Sequence, residues 1–291
     1  AVDLVSRGYT AVKFDPAGPY TIRGGHMPAL SDLDLSARFC KAIRAAVGTK
    51  ADLLFGTHGQ FTPDGAIRMA QAIASYDPLW FEEPVPPDSV AQMARVAGAQ
   101  PVPVATGERL TTKAEFAPLL RAGAAEILQP ALGRVGGIAE AKKIAAMAEV
   151  YNAQVAPHLY AGPVEWAANG QLATAIPNIL MCECIETPFH DQLIKGSIRV
   201  EDGFITAPDA PGLGRCGDRF DRAVGNAFGH HHFEFHLGEE VDDIFGAAID
   251  FRLALLASVS ANFGNRQAGD TRFAQRIDNG IEPARLENGG D

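Results

Sequence analysis

The sequence predicts an α/β protein built on a (β/α)8-type barrel. Two observations point to a parallel sheet and a third selects the barrel. Short apolar runs alternate with amphipathic stretches from Ala11 to about Met181. Successive runs lie roughly 20 to 40 residues apart, the spacing that βα units need. Polar residues recur at the C-terminal ends of these runs: Lys13 and Asp15, then His58, Glu82, Glu108, His158 and Glu183. A barrel gathers chemical groups from many strands at that rim, whereas an open doubly wound sheet concentrates them near one switch point.

In chain order the expected strands are "AVKF", "DLLF", "PLWF", "VPVAT", "EILQP", "AQVAP" and "ILMCE". Between them the expected helices include "DLSARFCKAIRAAV", "AIRMAQAIAS", "KAEFAPLLRAG" and "AEAKKIAAMAEVY". In the first helix Phe39, Ile43 and Val47 recur every fourth residue and form one apolar stripe. "AVDLVSRGYT" reads as the end of a helix entering a second unit, so a first strand is expected to be lacking. After "APGLG" the alternation stops, which places a boundary near Gly214: residues 1–214 as a partial barrel and residues 215–291 as a tail of unassigned fold. The tail's "HHHFEFH" run, His230 to His232 and His236, reads as a chance or solvated cluster rather than a metal site.

The chain of 291 residues carries a formal net charge of -10, with 47% apolar and 21% charged residues. That charge argues against a nucleic-acid partner. It leaves room for a small anionic substrate, because one bound cation can invert a local potential. Four cysteines, Cys40, Cys182, Cys184 and Cys216, are too few for a disulfide framework at this length and are expected to be reduced thiols. Neither a signal sequence nor an apolar run of spanning length is visible, so the expectation is a cytoplasmic protein with no membrane partner.

"LWFEEPVPP" ends a strand in two glutamates before Pro84, and alternation sends only one of them, Glu82, into the barrel mouth. In "VPVATGERL", Glu108 follows Gly107, whose backbone can turn tightly. Two inward acids on adjacent strands repel unless a cation or a proton lies between them, and oxygen ligands suit a hard metal. The alternative is a pair of ordinary rim acids bridged to Arg109 or Lys113. His158, after Pro157 in "APHLY", is either structural or a general base or acid. Lys13 and Asp15, two apart on one face, offer a contact for a substrate oxygen and a carboxylate base, or else a local ion pair. Glu183, between Cys182 and Cys184, is a candidate acid donating to a developing oxyanion. "GRVGG" reads as a tight turn, since it lacks a phosphate-binding spacing.

Taken together, these segments resemble the catalytic barrel of the enolase superfamily, in its mandelate racemase-like branch, over roughly Ala1 to Gly214. "WFEEP" and "ATGERL" are similar to that family's second and third metal-ligand strands. "APHLY" is similar to the strand of its catalytic histidine, "CECIE" to the strand of an acid near the substrate carboxylate, and "VEDGFITAPDAPGLG" to its closing segment. The resemblance implies metal binding by Glu82 and Glu108, a base role for His158 and an electrophilic-acid role for Glu183. It implies abstraction of a proton α to a carboxylate, giving an enediolate held by Mg2+, and loss of water where a β-hydroxyl is present.

The sequence also departs from the family's pattern. Where the family reads Asp-x-Asn, this chain reads Gly56-Thr57-His58. His58 lies two residues beyond the missing aspartate on the same face, so it is expected either to complete the metal set or to donate a hydrogen bond to substrate. One imidazole with two glutamates is softer than three carboxylates, which admits Mn2+ or another divalent transition ion beside Mg2+. The family's Lys-x-Lys is here Lys13-x-Asp15. The aspartate that partners the family's histidine is matched by Ala131, and the family's N-terminal capping domain is expected to be absent. The expected activity is dehydration of an aldonic or aldaric acid. A racemase or lactone cycloisomerase using the same intermediate, and an inactive, self-associating barrel, are the alternatives. A homo-oligomer is expected from the unpaired sheet edges.

Overall fold

Six strands in sequential order make the scaffold. In the computed structural model, which describes residues 1–17, 25–185, 199–207 and 212–213, β1 (Ala11–Phe14), β2 (Asp52–Phe55), β3 (Pro78–Glu82), β4 (Val104–Thr106), β5 (Ile127–Leu128) and β6 (Gln154–Val155) form one sheet in that order. Every adjacent pair is parallel. The helices are α1 (Val2–Ser6), α2 (Leu30–Val47), α3 (Pro63–Ile73), α4 (Val90–Ala99), α5 (Lys113–Arg121), α6 (Leu132–Val135), α7 (Ile138–Val150) and α8 (Pro163–Ala175). A separate antiparallel hairpin joins β7 (Arg199–Glu201) to β8 (Phe204–Thr206). Among the described residues no helix is long and apolar enough to cross a membrane.

Local chemistry fixes where the helices start and stop. Thr62 caps α3 by accepting from the Gly65 N–H, and Pro63 occupies the first turn, where its missing donor costs nothing. At α5 the Glu115 side chain reaches back to accept from the Thr112 and Thr111 backbone N–H groups, while the Glu115 N–H donates to the Thr112 carbonyl. Gly136 and Gly137, both at positive φ, turn α6 into α7, so "GRVGG" is the turn its composition suggests.

The parallel sheet buries both faces. Phe55, Phe61, Phe81, Met69, Ile73, Leu128 and Ile144 belong to a large core between sheet and helices, and Phe55 meets Phe81 edge-on at 5.4 Å. Leu54, Trp80, Ala105, Ile127 and Ala156 form a smaller core on the inner face. Alternation along each strand divides the side chains between these two cores.

Two expectations change. "ILMCE" contributes only an isolated bridge, Ile179 to Val155, instead of a full strand. On α2 the buried residues are Ser36, Cys40 and Val47, while Phe39 is exposed and lines an open cavity of about 870 Å³ with Val12, Leu35 and Ile43. Of the expected stripe only Val47 is buried and Ile43 partly so, because the helix turns its Ser36 and Cys40 side to the core. The proposed boundary at Gly214, the tail and Cys216 lie outside the described residues; among those residues Cys40, Cys182 and Cys184 form no disulfide.

Candidate active site

The pleat decides which side chains reach the mouth of the barrel. Two residues beyond the inner-core positions Leu54, Trp80, Ala105, Ile127 and Ala156 come Gly56, Glu82, Gly107, Gln129 and His158. On β1, Ala11 packs against the same inner core, and Lys13 follows two residues later. Gly107 breaks the pattern at φ 130, and a Cβ there would stand 2.6 Å from the Phe116 ring. Only glycine fits, and the turn it permits carries Glu108 to the rim.

Glu82 is fully buried. Lys13 Nζ lies 2.7 Å from its Oε1, while Trp80 Nε1 (3.1 Å) and Gln129 Nε2 (2.8 Å) both donate to Oε2. Burial pushes this carboxyl upward against the pull of Lys13, and the like charges of Glu108 and Glu183 add to the push. Lys13 also reaches Glu183 Oε1 at 2.6 Å. Burial alone disfavours its charge, but the two carboxylates outweigh that and raise its pKa above the ordinary lysine value. Lys13 therefore turns to Glu82 and Glu183 rather than forming the local pair with Asp15.

His158 places Nδ1 2.8 Å from Glu183 Oε2 and 3.4 Å from Glu108 Oε2. The same Glu183 oxygen accepts from the Leu159 N–H at 2.7 Å. Burial lowers the imidazole pKa, but the hydrogen bond and charge of Glu183, then the charge of Glu108, bring it above the usual histidine value. Burial likewise pushes Glu183 up, yet the bond from His158 and the charge of Lys13 bring it down to about 2. Ala131, where the resemblance would place an orienting aspartate, is buried and apolar. Glu183 supplies a carboxylate to His158 from another direction.

Glu82, Glu108 and His158 each offer a ligand atom within 4.8 Å of the others, a cluster that could hold a metal ion. The donor chemistry fits a divalent cation, and the buried Oε2 of Glu108 has no hydrogen-bond partner. His58 is not in this set. Its Nδ1 lies 3.3 Å from Asp15 Oδ2, and its side chain is 45% exposed. In this arrangement the aspartate two residues past Lys13 holds the imidazole at the rim. Burial lowers the pKa of His58, and its hydrogen bond to Asp15 with the charges of Glu108, Asp15 and Glu82 raises it overall.

Glu83, expected to point away, is buried as well. Its backbone turns to φ 39, out of the strand's alternation, and its Oε2 accepts from Arg109 Nε at 2.9 Å. Arg109 also donates to the His58 carbonyl at 3.1 Å, tying the His58 loop to the end of β3. Lys113, the other suggested bridge for the rim acids, pairs with Glu140 instead.

The family described as enolase C-terminal domain-like matches residues 1–219. The chain belongs to this family. It is 74% identical to a mandelate racemase/muconate lactonizing enzyme from Sulfitobacter sp, whose solved structure superposes with a TM-score of 0.75, covering 81% of this chain and 59% of that one. It is 34% identical over 212 residues to a D-xylonate dehydratase of Haloferax volcanii, 71% of this chain and 52% of that protein. It is 33% identical over 187 residues to a D-galactarolactone cycloisomerase of Agrobacterium fabrum, 61% of this chain and 50% of that protein. The chain spans about half the length of these curated relatives. The relatives are enzymes, and the six-stranded parallel sheet is the part of the enolase-family barrel that the described residues show.

Several groups in this enolase-family site escaped the sequence reading. Trp80 and Gln129 were legible in principle, because each shares a pleat face with a site position. Arg109, expected to bridge the rim acids Glu82 and Glu108, contacts Glu83 and the His58 carbonyl instead.

Proposed function

We propose that the protein removes a proton α to a carboxylate with the help of a divalent cation, Mg2+ by default, and expels a β-hydroxyl as water from an aldonic or aldaric acid. The observation that carries this reading is His158, oriented by Glu183 at 2.8 Å and set beside the buried acids Glu82 and Glu108. A proton next to a carboxylate is too weakly acidic for an unaided imidazole, so charge on the carboxylate oxygens must be neutralised as it develops. Glu82 and Glu108 would hold the cation, which supplies that neutralisation when bound.

The chain's own residues do the rest. With Nδ1 turned to Glu183, His158 has Nε2 free to take the α-proton. The electron pair of the broken C–H bond first moves toward the carboxylate as an enediolate, then shifts into the bond between the α- and β-carbons as the C–O bond at the β-carbon breaks. The resulting enol gains a proton from solvent at the β-carbon and loses its hydroxyl proton to become the 2-keto acid. The departing hydroxyl needs a proton to leave as water. His58, beside Asp15 at the exposed rim with a raised pKa, would donate it. This reading uses His58 toward substrate rather than toward the ion. The relatives named as a D-xylonate dehydratase and a D-galactarolactone cycloisomerase support two outcomes of one intermediate, and the His58–Asp15 pair favours dehydration over cycloisomerisation.

The test separates the two proton transfers. Aldonates such as D-xylonate and D-gluconate are incubated in deuterated water with Mg2+, and α-deuterium incorporation is followed beside formation of the 2-keto-3-deoxy product. His158→Asn should lose both signals by about 100-fold or more. His58→Asn should keep exchange and lose product. If the unmutated chain gives neither signal with any aldonate, aldarate or lactone, the reading is wrong.

A further inference from the structure

We infer that Lys13 is a resident cation of the Glu82 carboxylate, and that a divalent ion enters this site by exchange with its ammonium group. The inference rests on the metal reading above. Among the inner-face positions at the strand ends, β2 offers only Gly56, with no side chain at all. A Cβ built there would stand 3.6 Å from Lys13 Cε and 3.8 Å from Asp15 Cβ. The lysine stem therefore runs beside the space a side chain at position 56 would occupy. Its ammonium ends between two carboxylates, 2.7 Å from Glu82 Oε1 and 2.6 Å from Glu183 Oε1.

This geometry sets up a competition. Trp80 and Gln129 already occupy Glu82 Oε2, so Oε1 is the oxygen left to bind an ion, and it is the one Lys13 holds. Glu108 Oε2, buried and without a hydrogen-bond partner, waits on the other side. For Glu82 Oε1 and Glu108 to hold a divalent ion, the Lys13 ammonium would have to leave Glu82 and remain on Glu183. Like charges at a few ångströms in a buried site repel strongly. Lys13 thus neutralises the Glu82 carboxylate and would leave an ion weakly held, and the bare position at Gly56 adds no third carboxylate to counter it.

Isothermal titration of the full chain with Mg2+ and Mn2+ tests this directly, comparing the unmutated chain with Lys13→Met, Lys13→Arg and Glu108→Gln. Lys13→Met should bind at least about tenfold tighter, Lys13→Arg should stay near the unmutated affinity, and Glu108→Gln should weaken binding. If the unmutated chain binds, Glu108→Gln weakens it and Lys13→Met binds no tighter, the exchange fails while the metal site stands. If no form binds, both fall. Should Lys13→Met not fold, the Nζ resonance of Lys13 in the 15N-labelled unmutated chain gives the same answer. It should move on titration with Mg2+, and a stationary resonance alongside calorimetric binding would overturn the exchange.

Discussion

Glu83 shows how one backbone angle redirects a functional side chain. A strand's strict alternation would send it out of the barrel, but φ 39 turns it into a buried pair with Arg109. Burial, and then the charge of Glu108, push its carboxyl up to about 7 despite the guanidinium. Below an unfolded value near 4.5 both states are protonated and the residue is neutral toward folding. As pH rises from there to about 7, the unfolded chain ionises first, so stability falls, by about 3 kcal/mol once both states are ionised. Glu83→Gln should flatten that slope in urea melts taken between pH 4.5 and pH 8. An unchanged slope would mean that Glu83 is ionised in the fold throughout. The sequence could show that two acids end this strand, but not which way the second would turn, since nothing local marks a left-handed glutamate. The same limit applies to His58 and His158. Spacing placed both at strand ends, while the carboxylates that claim each imidazole, Asp15 and Glu183, sit on other segments.

At the scale of elements, the periodic segments were legible and the short ones less so. β1, β2 and β3 occupy the apolar runs expected from the sequence, and β2 and β3, buried along most of their length, are nearly continuously apolar. β5 and β6 are only two residues long in the sheet, and "ILMCE" reaches it by one bridge, since pairing there depends on a neighbour and not on composition. α4 and α8 went unread. In "PVEWAANGQLATA" nearly the whole first half is buried, so no polar face marks its period. The tightest element constraint is the β4 turn. Gly107→Ala would combine a strained φ of 130 with a Cβ 2.6 Å from Phe116, a loss of about 1 to 3 kcal/mol. Thermal melts should show the loss, and displacement of Glu108 should weaken Mg2+ binding in the same variant. A variant as stable as the parent would show that Phe116 can yield.

For the molecule as a whole, the arrangement would couple loading of the site with an ion to folding. The carboxylates that would hold an ion come from β3 and from the turn after β4, so the unfolded chain offers no such site. An ion present at about a hundred times its Kd stabilises the folded chain by about 2.7 kcal/mol, or a rise in Tm of roughly 5 to 10 °C. Mg2+ should produce that rise in the unmutated chain and not in Glu108→Gln; equal shifts in both would place the ion elsewhere. The barrel class was legible because sequential βα units repeat one pattern along the chain. The site's charge balance was not, because it depends on which of three carboxylates one lysine reaches.

Trp80 has an optical consequence. Its indole N–H rests 3.1 Å from Glu82 Oε2, and the chain has only two tryptophans. Indole emission responds to charge beside the ring. A change at Glu82 should therefore dim or brighten the intrinsic fluorescence, giving a label-free signal from within the pocket itself.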